Sequence, residues 1–250
     1  MLSLERRGQL PEELQLRLKK HAIPHFLEEH SDSIALCTPE KNLSYTELHQ
    51  QSDSLAHHLI ENSIQPHDRV AILAEPSLEC AVSIVGIMKA GGVVVPIDPI
   101  SQKCHISTIL EQAKPKLLLS ETATVPSYLS DELNTLKIKD LLDERGISID
   151  RNPEPQDPAY LVFTLHDDKL QGIELPHHSI TNLACWTKTA YQSGSEEIVA
   201  IAARLRCESF IPELLSTLCT GATVKFLPGQ HLQSAPDLKQ WIYDRFGEWL

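Results

Sequence analysis

The chain has few aromatic residues and few basic ones. Phe, Trp and Tyr make up 5% of its 250 residues, and Asp and Glu outnumber Lys and Arg by 34 to 22, which gives a formal net charge of -12. Nucleic acids and anionic membrane surfaces are recognised by clustered Lys and Arg, so the composition argues against both as partners. We interpret the acidic balance as a surface that favours solubility.

The sequence also lacks a long apolar run. No segment approaches the roughly 20 residues that a membrane-spanning helix needs. Residues 1–20 mix acidic and basic side chains and contain no apolar core of the kind found in a signal peptide. We therefore expect a cytoplasmic protein that neither spans nor binds a membrane.

Metal-binding and redox motifs are absent as well. Six cysteines and twelve histidines are spread along the chain without a C-x-x-C, C-x-x-C-H or H-E-x-x-H pattern. We expect most of the cysteines to be reduced, small core residues. Structural or solvated roles are expected for most histidines, with His25, His30, His49 and His67 near turns or on exposed faces.

The remaining composition is that of an ordinary globular protein, with 42% hydrophobic and 22% charged residues. Short apolar segments alternate with amphipathic ones, which predicts a layered α/β fold with mostly parallel sheets. Strands are predicted at 33–37, 70–73, 93–95, 116–120 and 158–164, and helices at 11–29, 44–62, 76–89 and 103–112. A proline-rich connector at 151–157 separates a first α/β block, 22–150, from a second, 158–250.

Residues 87–99, I-M-K-A-G-G-V-V-V-P-I-D-P, form the most informative segment. The paired glycines end a helix and permit a sharp turn, and the valine run is typical of a strand buried on both faces. The segment closely resembles the KAG-x-x-x-VPIDP motif of the adenylation domains of nonribosomal peptide synthetases, which belong to the AMP-forming acyl-adenylate ligase superfamily.

Three further segments carry the same resemblance in the same order. They are L-S-Y-T-E-L at 43–48, P-H-D-R-V-A-I at 66–72 and K-P-K-L-L-L at 114–119, and the similarity is collinear from Ala22 to Pro228. Ser44 and Glu47 also form a predicted capping box at a helix start. The resemblance implies a layered α/β/α architecture like the front half of the large N-terminal subdomain of an adenylate-forming ligase.

The phosphate-binding loop of the family, usually like Y-T-S-G-S-T-G-K-P-K-G, is not preserved. The corresponding residues 163–172 read F-T-L-H-D-D-K-L-Q-G, in which the glycine-rich centre is replaced by two aspartates, Asp167 and Asp168. Two carboxylates at the place of a triphosphate oppose its binding. The residues left as candidate phosphate contacts are Thr164, Lys169 and Gly172.

A second motif also departs from the family. Residues 206–215 resemble the F-D-x-x-x-W-E helix, whose aspartate pairs with the α-amino group of the amino-acid substrate. Glu208 stands at that place with one more methylene, so an amino-group contact and a solvated or capping carboxylate both remain open. We assign no catalytic residue and no metal ligand.

The family's later elements, which hold adenine and ribose and supply a C-terminal lysine, have no counterpart within the 250 residues. We therefore expect a truncated, inactive pseudo-adenylation domain that binds no cofactor alone and serves as a structural or docking element in a nonribosomal peptide or hybrid polyketide-peptide assembly line. Its partners would be other assembly-line domains or subunits, a peptidyl carrier protein being one candidate. The alternative is the front half of an ATP- and Mg-dependent amino-acid-activating ligase that works only when completed.

Two further hypotheses concern particular residues. A carboxylate-histidine cluster could hold a divalent cation in the remaining cleft; its members would be His166, Asp167, Asp168, His177 and Glu208. An aromatic surface near the C-terminus could meet a partner or pack back on the core; its members are Trp241, Tyr243, Phe246 and Trp249.

Overall fold

Within the residues that the structure describes, the chain forms two β-sheets with α-helices packed against them. The computed structural model describes residues 21–28, 30, 33–122, 133–142, 149, 151–166, 169–191 and 193–227. The helices are α1 (Ile23–Leu27), α2 (Tyr45–Glu61), α3 (Leu78–Lys89), α4 (Lys103–Ala113), α5 (His177–Tyr191) and α6 (Phe210–Thr220). The strands are β1 (Ile34–Cys37), β2 (Asn42–Ser44), β3 (Arg69–Leu73), β4 (Val93–Ile97), β5 (Leu117–Ser120), β6 (Thr135–Lys137), β7 (Pro158–His166), β8 (Lys169–Pro176), β9 (Ile198–Ile201) and β10 (Thr223–Phe226).

The larger sheet has six strands in the order β6-β5-β3-β4-β7-β8, and only the β7-β8 pair is antiparallel. Successive residues of β3 face opposite cores: Val70 belongs to the core that contains α3, and Ala71 to the core that contains α4. All five residues of β4 are buried. The valine run is therefore explained by a strand covered on both faces.

The smaller sheet has four strands in the order β2-β1-β10-β9, with β1, β10 and β9 parallel and β2 antiparallel. Both sheets combine strands from before and after the connector at 151–157. The predicted fold class, a layered α/β architecture with mostly parallel sheets, is confirmed.

The predicted start of α2 is confirmed in detail. The Glu47 backbone N-H donates to Ser44 Oγ over 3.2 Å, and the Ser44 N-H donates to Glu47 Oε2 over 2.7 Å. Tyr45, the next residue, is fully buried, and its hydroxyl lies 2.9 Å from the Leu218 carbonyl and 2.8 Å from that of Ala222. This side chain therefore fixes the start of α2 to the end of α6 and the start of β10.

Helix boundaries differ from the sequence expectations where caps decide them. Helix α3 begins at Leu78 rather than at 76, because the Ser77 side chain accepts a hydrogen bond from the Cys80 N-H. Gly91, in the turn between α3 and β4, has a φ of 78°. The paired glycines were predicted to permit such a sharp turn. Of the helix predicted over 11–29, residues 23–27 form α1, and residues 11–20 and 29 lie outside the described ranges.

A buried ion pair between α2 and α3 corrects one expectation. His49 was expected near a turn or an exposed face, but it lies within α2, partly buried, with Nδ1 3.1 Å from the Lys89 ammonium. Lys89 is 5% exposed and donates to Asp53 Oδ1 over 2.6 Å. Burial lowers the pKa of Lys89, against the opposing effect of Asp53, and burial followed by the charge of Lys89 lowers the pKa of His49.

The six cysteines are free thiols, four of them buried and two, Cys104 and Cys207, exposed. Burial raises the pKa of the Cys80 thiol, so it is neutral in the core. Within the described ranges, no helix combines the length and the hydropathy needed to cross a membrane.

Candidate functional site

A β-hairpin occupies the place where the sequence predicts a degenerate phosphate loop. Strands β7 and β8 stay in register through Phe163-Gly172, Thr164-Gln171, Leu165-Leu170 and His166-Lys169. Only two residues, 167 and 168, separate the paired strands along the chain. The backbone on both sides of this short link therefore takes part in strand pairing.

The three candidate phosphate contacts lie at different places on this hairpin. Thr164 is half-buried in β7, whereas Lys169 is the exposed first residue of β8. Gly172 pairs with Phe163, and a Cβ added to it would lie 3.2 Å from the Leu161 and Phe163 side chains. Close side-chain packing is thus sufficient to explain the glycine.

An open cleft lies at the carboxyl ends of β4 and β7; we call it the strand-end cleft. Its volume is about 340 Å³, and its polar lining comes from Asp98, Ser101, Gln102, His105, Thr164, Arg206 and Glu208. In open parallel sheets, ligands bind in crevices at this edge. The structure therefore brings Thr164 and Glu208 to one cleft, whereas Lys169 and Gly172 do not line it.

Glu208 lies on the loop that leads from β9 to α6. Two backbone hydrogen bonds shape this loop, from the Cys207 N-H to the Arg204 carbonyl over 2.8 Å and from the Phe210 N-H to the Cys207 carbonyl over 3.1 Å. The Glu208 side chain is exposed, and no ion pair to it occurs among the residues that the structure describes. Its carboxylate can thus accept hydrogen bonds from a bound amine.

An ion-pair network beside the cleft was not foreseen from the sequence. Arg204 Nε donates to Asp98 Oδ2 over 2.9 Å, and Arg204 Nη2 donates to Asp98 Oδ1 over 3.2 Å. The same Nη2 lies 3.5 Å from Glu75 Oε1. The hydrogen bond to Asp98, first, and the charges of Asp98 and Glu75 raise the pKa of Arg204. Arg204 and Asp98 are 106 residues apart, so no local pattern could have indicated the pair.

The ion-pair network lies at the carboxyl ends of β3 and β4, two neighbouring strands of the larger sheet. Asp98 follows β4 and Glu75 follows β3, and the helices after these strands, α4 and α3, belong to cores on opposite faces. Adjacent strands whose connections leave to opposite faces create a crevice that ligands commonly use. Here the guanidinium of Arg204 lies across that crevice.

The proposed metal cluster receives no geometric support. Of its members, only Glu208 and His177 have described side chains, and Glu208 lines the strand-end cleft whereas His177 does not. His177 is buried at the start of α5, its Nδ1 has no hydrogen-bond partner within the described ranges, and burial lowers its pKa to about 4. The described residues contain no group of three or more His, Cys, Asp or Glu side chains placed to hold a metal ion.

The predicted aromatic partner surface cannot be placed in the same way. Trp241, Tyr243, Phe246 and Trp249 lie outside the described residues, as do Asp167 and Asp168. The aromatic partner surface and the placing of the two aspartates in the metal cluster therefore stay predictions.

A family comparison decides how the site is to be interpreted. The model described as AMP-binding enzyme matches residues 23–244. The chain belongs to this family. The prediction from the sequence motifs, an adenylation domain of the nonribosomal peptide synthetase type, is thereby confirmed.

Known members of the AMP-binding family are similar over most of this chain. Tyrocidine synthase 3 of Brevibacillus parabrevis is 34% identical over 199 residues, which are 77% of this chain and 3% of that protein. Surfactin synthase subunit 1 of Bacillus subtilis (strain 168) is 32% identical over 206 residues, 78% of this chain and 6% of that protein. The chain therefore spans only a small part of these relatives.

Solved structures support the fold. The N-terminal subdomain of Klebsiella oxytoca NpsA superimposes with a TM-score of 0.79 at 24% identity, over 90% of this chain and 59% of that one. The AMPPNP-bound form of the nonribosomal peptide synthetase FmoA3 superimposes with a TM-score of 0.75 at 21% identity, over 90% of this chain and 24% of that one. The chain thus has the fold of the NpsA N-terminal subdomain over most of its length.

Proposed function

We propose that this chain is a degenerate adenylation domain that does not bind ATP productively and acts as a structural or docking element in a peptide-forming assembly line. The supporting observation is the β7-β8 hairpin, which pairs residues up to His166 and Lys169 where the family has its phosphate loop. The proposed setting is the cytoplasm.

The physical argument rests on what a phosphate cradle needs. Several backbone N-H groups must converge on the anion, and small residues must let them approach it. In this chain the corresponding backbone is paired between two strands, and the two linking residues are Asp167 and Asp168. A carboxylate about 4 Å from a phosphate oxygen opposes binding by about 1 to 4 kcal/mol.

Partners of the carrier-protein type fit this proposal. An artificially fused adenylation-PCP di-domain of NpsA and ThdA from Klebsiella oxytoca has a TM-score of 0.77 with this chain. We expect a peptidyl carrier protein or another assembly-line domain to contact this chain without receiving an activated substrate from it. Affinity for carrier protein in the absence of ATP is the property that distinguishes docking from activation.

Calorimetric titration with Mg-ATP and with a non-hydrolysable aminoacyl-adenylate analogue tests the proposal. We expect no heat of binding for either compound at micromolar protein concentration. A matched variant replaces residues 164–172 with the family loop T-S-G-S-T-G-K-P-K-G, which restores free N-H groups and removes both aspartates. This variant should gain nucleotide affinity if the hairpin is the cause of the loss.

Micromolar binding of Mg-ATP by the unaltered chain contradicts the proposal. Circular dichroism and a urea unfolding curve of the loop variant show whether it is folded. If it is folded and still binds no nucleotide, the hairpin is not the deciding feature.

A second candidate function is supported by the lengths of the relatives. The chain spans 59% of the NpsA N-terminal subdomain, so adenylation would also need the portion of that subdomain that this sequence does not cover. Thr164, Lys169 and Gly172 would then contact ATP with its magnesium ion, and Glu208 would pair with the substrate amino group. The substrate carboxylate would attack the α-phosphate, and pyrophosphate would leave.

Pyrophosphate exchange tests this second function. The chain is mixed with the complementary portion of tyrocidine synthase 3, and exchange is measured against either piece alone. Exchange that depends on Glu208, and that is retained when the exposed Glu196 is changed to Gln, would favour completion. No exchange in the mixture leaves the docking proposal in place.

A further inference from the structure

A second cavity lies between α5, the hairpin β7-β8 and the start of α6; we call it the α5 cavity. Its volume is about 470 Å³, and it is lined by Tyr160, Leu175, Ser179, Ile180, Asn182, Leu183, Trp186 and Pro212. It shares no lining residue with the strand-end cleft. Every described residue that lines it is uncharged, so it offers no counter-charge to an ion.

Tyr160 provides one of the polar groups that line this cavity. The residue is only 3% exposed, and the hydrogen bonds of the described residues include none to its hydroxyl. Burial raises its pKa to about 12, so the phenol is neutral and can donate. The hydroxyl is not among the fully buried side-chain atoms that lack a partner, so it is accessible, and a ligand in the cavity can form a hydrogen bond with it.

The mouth of the cavity combines aromatic and polar side chains. Trp186 is 42% exposed and meets the ring of Tyr191 edge to face, with centroids 5.4 Å apart and planes at 87°. Ser179 and Asn182 lie one helical turn apart on α5 and add a hydroxyl and an amide to the lining. The remaining wall is aliphatic, so an aromatic ligand would find apolar walls and the indole of Trp186.

We propose that the α5 cavity binds a neutral aromatic molecule whose single hydrogen-bonding group reaches Tyr160. The ligand is neutral because an ionised group here would lose its hydration without gaining an opposite charge. A cavity of this size, with mostly apolar walls and a few polar groups, is typical of small-molecule sites. The site does not depend on nucleotide binding and is therefore independent of the function proposed above.

A pair of probes with the same shape tests this site on the full chain. Naphthalene carboxamide is neutral, and naphthalene carboxylate, substituted at the same ring position, is an anion. Titrations are followed by calorimetry and by the Trp186 indole N-H resonance, which is identified by its absence in Trp186→Phe. We expect saturable binding of the carboxamide with a shift of this resonance, and at least tenfold weaker binding of the carboxylate.

Three variants locate the hydrogen bond. Tyr160→Phe should weaken carboxamide binding about three- to tenfold, the equivalent of one neutral hydrogen bond. Tyr191→Phe removes a hydroxyl from a residue that is 65% exposed and does not line the cavity, and should leave the affinity unchanged. Asn182→Ala changes an exposed position and should lower the affinity without altering the fold.

The proposal is overturned if no saturable binding of the carboxamide is seen below millimolar concentrations. It is also overturned if carboxamide and carboxylate bind equally, or if neither Tyr160→Phe nor Asn182→Ala weakens binding. A urea unfolding curve of each variant ensures that lost affinity is not caused by lost folding.

Discussion

The carboxylate of Asp98 and the guanidinium of Arg204 form a two-point ion pair, with Nε-Oδ2 at 2.9 Å and Nη2-Oδ1 at 3.2 Å. The Asp98 side chain is fully buried, and the Ile100 N-H also donates to it over 3.0 Å. The pair joins the end of β4 in the larger sheet to the loop that follows β9 in the smaller one. It therefore holds the loop that carries Glu208 against the strand-end cleft.

Arg204→Ala should destabilise the fold by about 3 kcal/mol, because it leaves the buried Asp98 carboxylate without its cation. Urea unfolding at pH 7 measures the change. The matched control is Arg206→Ala, two residues along the same loop, which is exposed and should change stability by less than about 0.5 kcal/mol. Equal effects of the two substitutions would mean that the ion pair contributes nothing specific.

Tyr45→Phe should destabilise the fold by about 1 to 2 kcal/mol. The hydroxyl is buried and close to the carbonyls of Leu218 and Ala222. Its removal takes a hydrogen-bond donor from this buried place, although the Leu218 carbonyl still accepts from the Gly221 N-H. Thermal or urea unfolding measures the loss. Tyr191→Phe, at an exposed ring, is the control and should be neutral; a neutral result for Tyr45→Phe would show that water or another donor replaces the hydroxyl.

Stability should fall as the pH is lowered from about 6.5 to 4. Burial holds the pKa of His177 at about 4 in the folded protein, whereas an unfolded chain has a histidine pKa of about 6.5. A group whose folded pKa is lowered stabilises the fold above its unfolded pKa, and this stabilisation is lost as the pH falls through the folded pKa. The loss attributable to His177 amounts to about 3 kcal/mol at pH 4.

Urea unfolding of His177→Gln at pH 7 and pH 4.5 isolates this contribution. The variant cannot titrate at this position, so its stability should depend less on pH than that of the unaltered chain. His105→Gln, at a half-exposed position, should keep the original dependence. An unchanged pH dependence in His177→Gln would assign the acid sensitivity to other groups, such as His49, whose pKa is also lowered.

Local signals predicted the fold well because they act over a few residues. The Ser44-Glu47 capping box and the turn at Gly91 depend on neighbours in sequence, and the structure confirms both. The buried strand β4 followed from its valine run alone. The mostly parallel character of the sheets followed from the alternation of strands and helices, because a helix between two strands usually joins them in parallel by a right-handed crossover.

Long-range contacts at the site could not be predicted in this way. The Asp98-Arg204 pair joins residues 106 positions apart, and His49 is buried because Lys89 of another helix packs beside it. The sequence showed that the phosphate loop had lost its glycine-rich centre, but not that β7 and β8 would pair up to His166 and Lys169. Strand register depends on contacts across the sheet, which a single sequence does not display.

The short link between β7 and β8 provides a last prediction, which separates a hairpin from a phosphate loop. Changing Asp167→Asn together with Asp168→Gly introduces the pair preferred in two-residue hairpin links and should stabilise the fold by about 0.5 to 1 kcal/mol. The control, Asp167→Ala with Asp168→Ala, removes the same charges without the glycine's access to positive φ. If charge removal alone were responsible, urea unfolding would show the same increase in stability for both variants. If the link belonged to an open loop, the added glycine would destabilise it relative to the alanine control, because glycine loses more conformational freedom when it is ordered.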